Sequence, residues 1–62
     1  MKKSDYIIVS LNNNGCAFIR TETKAWETSR ENGEAMIRFA RENYVEVAYK
    51  HHPNGDHQYW FN

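Results

Sequence analysis

The side chains best suited to chemistry gather near the C-terminal end, in Lys50-His51-His52-Pro53-Asn54-Gly55-Asp56-His57-Gln58-Tyr59-Trp60-Phe61, which holds all three histidines of the chain. Pro53 fits the first position of a type I turn and Gly55 the left-handed position after it. A hairpin closed there pairs His52 with Asp56, His51 with His57, Tyr49 with Tyr59 and Val47 with Phe61. His51 and His57 become cross-strand neighbours with Cβ atoms about 5 Å apart, close enough for two imidazoles to ligate Zn²⁺ or Cu²⁺. A zinc site needs a third ligand and partners that orient the first two. Asp56 and His52 belong to the opposite face, and Cys16 lies in a different hairpin. Packing at the polar end of an aromatic face is therefore the better account, and no metal or other cofactor is expected. Protonating both histidines near pH ~6 would set like charges side by side and oppose folding.

Catalytic constellations are absent from the sequence pattern. Cys16 follows Gly15 at a turn, and no histidine is assignable as its base, which a nucleophile needs within hydrogen-bond reach. No segment resembles a nucleophile elbow or a phosphate-cradling glycine loop. Glu31, Glu34 and Glu42 alternate with arginines along one helix arc, as solvated helix faces do. The chain reads as a non-enzyme.

The elements that place these residues follow from periodicity. Tyr6 to Leu11 is rich in β-branched and aromatic residues, as strands prefer. Asn12-Asn13-Asn14-Gly15 is a hairpin signal, and Cys16 to Thr23 reads as the returning strand. A three-residue loop, Asn13 to Gly15, puts Ile7, Val9, Leu11, Ala17 and Ile19 on one face and Tyr6, Ile8, Ser10, Phe18 and Arg20 on the other. At about 100° per residue, Gly33, Met36, Ile37, Phe39, Ala40 and Tyr44 fall on one helical arc. Thr28 and Glu31 match a capping box, or the helix begins near Ala25, which brings Trp26 onto the buried arc. Gly33 inside that arc implies close approach to a sheet. Val45 to His52 and Asp56 to Asn62 complete two more strands, with Val45, Val47, Tyr49, His51, His57, Tyr59 and Phe61 on the core face. The expected fold is α+β: a ββαββ order, four antiparallel strands, and one helix packed on one face.

Sixty-two residues make one domain, 1–62, with a thin core. Eight basic and eight acidic residues cancel, which weighs against nucleic acid, since phosphate neutralisation supplies most of such affinity. A single cysteine rules out an intramolecular disulfide, so a cytoplasmic setting is expected. The apolar run after Met1-Lys2-Lys3-Ser4-Asp5 is too short for a signal peptide or a membrane span. The initiating Met and the lack of a linker suggest a complete small gene product.

A single helix leaves the second face of the sheet bare. That face carries Tyr6, Ile8, Phe18 and Trp60, flanked by Arg20, Lys50 and Glu46. A contiguous apolar patch marks an interface, and Trp, Tyr and Arg are enriched among binding hot spots. Tyr6, Phe18, Arg20, Lys50 and Trp60 are thus the expected partner-binding residues. A one-residue slip in the first hairpin would undo this placement. Two bare faces or two edges could instead pair in a homodimer. The same face could stack single-stranded nucleic acid on Tyr6, Phe18 and Trp60, with Arg20 and Lys50 on phosphates, the less favoured alternative.

The layout as a whole, with the terminal hairpin Ala48-Tyr49-Lys50 … Asn54-Gly55 … Tyr59-Trp60, resembles small phage-encoded inhibitors, anti-CRISPR proteins among them. The resemblance implies a protein that evades host defence by occupying a surface on a host protein complex in the bacterial cytoplasm. It carries over no site residues.

Overall fold

The computed structural model describes residues 5–62; the sequence reading of Met1 to Ser4 lies outside the described residues. The chain runs β1 (Ile7–Leu11), β2 (Cys16–Thr21), β3 (Ala25–Ser29), α1 (Arg30–Asn43), β4 (Glu46–His51) and β5 (His57–Phe61). The fold is α+β, with a five-stranded sheet in the order β3-β2-β1-β5-β4. Every neighbouring pair is antiparallel. β1 takes the centre, and α1, about 21 Å long, carries the chain from one edge strand to the other.

The expected sheet of four strands gains a fifth, β3, from the segment where the helix had been expected to begin. Thr21 causes the difference. Its hydroxyl accepts from the N–H of Thr23 at 3.4 Å and of Lys24 at 3.2 Å. Its own N–H donates to the carbonyl of Lys24 at 2.8 Å. This threonine-anchored turn sends Ala25–Ser29 back along β2, with Trp26 opposite Ile19 and Thr28 opposite Ala17. Trp26 therefore stands on an edge strand, 36% exposed, and not on the helix. Ser29 replaces Thr28 as the cap, its hydroxyl accepting from the Asn32 N–H at 3.1 Å.

The first hairpin has the expected register, with Leu11 opposite Ala17 and Val9 opposite Ile19. Its loop closes by Asn12 N–H to the carbonyl of Cys16, 2.9 Å, and Gly15 adopts φ +88°, which glycine meets without steric cost. The buried residues Ile7, Val9, Leu11, Ala17, Ile19, Ile37, Ala40 and Phe61 form one core, with Met36, Tyr44 and Tyr59 packed against it. On α1 the buried set is Gly33, Ile37 and Ala40. Phe39, expected on the same arc, sits at its flank and is 51% exposed.

The second hairpin departs from expectation at one point. His51 faces His57 and Tyr49 faces Tyr59, but Glu46, not Val47, lies opposite Phe61. An irregularity between Glu46 and Ala48 inserts one extra residue, as a β-bulge does. Val45 then exchanges both backbone hydrogen bonds with Asn62, at 3.1 and 2.9 Å. The bulge turns Glu46 away from the face it had been expected to flank and toward the helix, where it pairs with Arg41 at 3.4 Å. Val45 and Val47, expected in the core, are 68% and 58% exposed. All six residues of β4 are exposed, because α1 packs mainly over β1 and β2.

Candidate functional site

The face of the sheet turned away from α1 is built from two rows of side chains that the pairing registers define. One row runs Ala25, Arg20, Ile8, Trp60, Ala48 across β3, β2, β1, β5 and β4. The next runs Glu27, Phe18, Ser10, Gln58, Lys50. Alternation enforces the grouping: Ile7, Val9, Leu11, Ala17, Ile19 and Phe61 are buried, so their neighbours along each strand point the other way. Ile8, Ser10, Phe18, Arg20, Gln58 and Trp60 together line a shallow depression at the middle of this face.

Three of the five expected partner-binding residues, Phe18, Arg20 and Trp60, are brought together there. Lys50 stands at the β4 edge of the Phe18 row. Tyr6 precedes β1, half-buried, and is not among the residues lining the depression. Phe18 is 38% exposed, and Ile8 and Trp60 are half-buried by their row neighbours. A polar seam crosses the patch: Gln58 Nε2 donates to Ser10 Oγ at 3.2 Å, and His52 Nε2 meets Gln58 Oε1 at 3.2 Å. Glu27 and Ala25 were missed from the sequence, since their segment was placed either just ahead of a helix capped at Thr28 or inside a helix starting near Ala25, and in neither case on a strand. The signal that could have found them is the Trp26–Thr28 alternation.

His51 and His57 form a different structure on the helix-side face. They stack with ring centroids 4.4 Å apart and planes 4° from parallel. Nitrogen lone pairs lie in the ring planes, so in this stack they run side by side and do not converge on a common ligand position. His57 Nδ1 is also taken by the Tyr49 hydroxyl at 2.7 Å. Tyr49 packs on Tyr59 at 4.9 Å, and Arg41 lies 5.8 Å over the Tyr59 ring. Burial, helped by the nearby Tyr49, raises the Tyr59 hydroxyl above its ordinary pKa against the opposing pull of Arg41. Among the described residues, no group of three or more His, Cys, Asp or Glu is placed to hold a metal ion.

The loops at one end of the sheet are joined. Asn13 N–H donates to Asp56 Oδ1 at 2.9 Å, and Asn13 Nδ2 donates to the Asn54 carbonyl at 2.5 Å. Arg30 donates from its backbone to Gly15 at 2.8 Å and from its guanidinium to Asn12 at 2.9 Å. The three asparagines are thus explained as a turn locked to its neighbours. No described helix is long and apolar enough to cross a membrane. No protein family, curated protein or solved structure matches the chain.

Proposed function

We propose that this chain is a non-enzymatic binding protein that works by occupying a surface of a larger protein. In this reading it is an inhibitor of a host defence system or other host machine, of the anti-CRISPR kind, acting in the bacterial cytoplasm. The observation that carries the reading is the patch of Phe18, Ile8 and Trp60 beside Arg20, with Lys50 at its edge, on a sheet face that α1 does not cover. Aromatic area next to a guanidinium is the composition of a binding hot spot, and the polar seam through Ser10 and Gln58 supplies hydrogen-bonding specificity. Trp60 contributes the largest side chain and would anchor the contact.

The experiment is an affinity capture from bacterial lysate, with and without nuclease, comparing wild type with Trp60→Ala. A protein captured by wild type, retained after nuclease and lost with Trp60→Ala, is the expected outcome. Truncating an anchor of this type costs about 2 kcal/mol or more of binding. Capture that Trp60→Ala leaves unchanged would remove the face from the reading. Capture that nuclease abolishes would transfer the face to single-stranded nucleic acid.

A further inference from the structure

β1 is the central strand of five, so the open face has two equal halves: β2 and β3 on one side, β5 and β4 on the other. The charges on this face are not symmetric about β1 but complementary across it. In the row through Ser10, Glu27 occupies the β3 edge and Lys50 the β4 edge. In the row through Ile8, Arg20 on β2 mirrors Trp60 on β5.

We propose that in the free protein this face is covered by a second copy of the chain, related by a two-fold axis that lies in the interface and runs along β1. The proposal rests on reading the open face as a docking surface, and it names that surface's first occupant. Such an axis lays β2 over the partner's β5 and β3 over its β4 while keeping each row over itself. Glu27 then meets the partner's Lys50, and Lys50 meets the partner's Glu27. Arg20 comes over the partner's Trp60, a favourable cation–π placement, and the same contact repeats on the other side. Ile8 meets its own copy on the axis. Aligned sheets pack about 10 Å apart, a gap that Glu and Lys side chains at the two rims can bridge.

Charge selects this axis over the other symmetric choice. A two-fold axis running across the strands, along the Glu27–Lys50 row, would put Glu27 against Glu27 and Lys50 against Lys50, a like-charge arrangement that costs affinity. A host protein that needs the same face would then compete with the second copy, so self-association would hold the binding surface in reserve.

The test is sedimentation of the full chain over a concentration series, with charge reversal at each rim. Wild type is expected to dimerise. Glu27→Lys alone and Lys50→Glu alone each convert both rim contacts to repulsion and should weaken the dimer by roughly tenfold or more. The double variant carrying both reversals should recover wild-type affinity, because the swapped charges meet again. Both residues are exposed, so circular dichroism should show all three variants folded. A chain that stays monomeric at every concentration overturns the proposal, as does a dimer that the single reversals leave intact or that the double variant fails to restore. A monomer whose capture of a host protein still depends on Trp60 would sink the dimer and spare the proposed function. A dimer obeying the charge swap with no protein captured would do the reverse.

Discussion

A methyl group at position 33 would stand 2.5 Å from the Cβ of Ala17 and 2.7 Å from Leu11 Cδ2. These distances decide between two opposing effects. Replacing glycine by alanine inside a helix ordinarily gains about 1 kcal/mol, whereas forcing extra volume into a packed contact costs about 1–3 kcal/mol. Ala17 is fully buried, and its Cβ is fixed to strand backbone, so it cannot swing aside. Gly33→Ala should therefore destabilise the fold by about 1–2 kcal/mol, measured by chemical denaturation. Adding Ala17→Gly should recover part of that loss, a coupling between two substitutions that would each be harmful alone. If Gly33→Ala proves stabilising, the helix does not sit this close to the sheet. The purpose of Gly33 was legible in the sequence, because an interior glycine on the apolar arc has few other uses. The stacking of His51 on His57 was legible only as a pairing. That Tyr49 would take His57 Nδ1 depends on rotamers, which spacing does not determine.

At the level of elements, the junction between β3 and α1 is where a short stretch of chain had two readings. Ser29 ends the strand opposite Cys16 and caps the helix, while Thr28 Oγ1 accepts only from the Asn32 side chain at 2.9 Å. Ser29→Ala should cost about 1 kcal/mol, the usual loss for a cap. Thr28→Ala should cost less, which thermal melts of the two variants would rank. The reverse ranking would move the start of the helix back by one residue, to the capping box that the sequence suggested. The register of the first hairpin, that of the second from Tyr49–Tyr59 to His51–His57, the helix arc apart from Phe39, and the antiparallel pairing followed from alternation and the two Asn-Gly turns. β3 did not, because Trp26 also falls on the helical arc counted back from Gly33, and five residues are too few for period 2 to stand out from period 3.6. The bulge on β4 escaped for a different reason. Val45-Glu46-Val47-Ala48 alternates perfectly, so nothing in the sequence marks the extra residue; it shows only in the pairing, where Glu46 lies opposite Phe61 and Ala48 opposite Trp60. Within the candidate face, Phe18, Arg20 and Trp60 were placed correctly since their hairpins were; Glu46 was misplaced by the bulge and Glu27 by the unrecognised strand.

Across the whole molecule, stability is distributed from the centre outward. β1 is hydrogen-bonded on both sides and buries Ile7, Val9 and Leu11 under the helix. β4 is an edge strand whose strand pairing is with β5 alone, with every residue exposed and α1 centred elsewhere. Local opening costs least where few apolar contacts must be broken. Native-state hydrogen exchange should therefore show β1 amides opening only with global unfolding, and β4 amides opening well below it. The hairpin tip would be an exception within this gradient, because Asp56 and Asn54 are bonded to Asn13 in the first hairpin, which ties the end of β4 to the central strand. Protection along β4 should consequently rise from the bulge near Val47 toward His51. A uniform protection across all five strands would mean that β4 is covered in solution by something other than its own helix. The gradient also bears on the open face: dimerisation along β1 would bury Lys50 and Ala48 at the rim, so raising the protein concentration should slow exchange in β4, and in β1 as well, because a dimer of folded chains opposes the global unfolding through which β1 amides open.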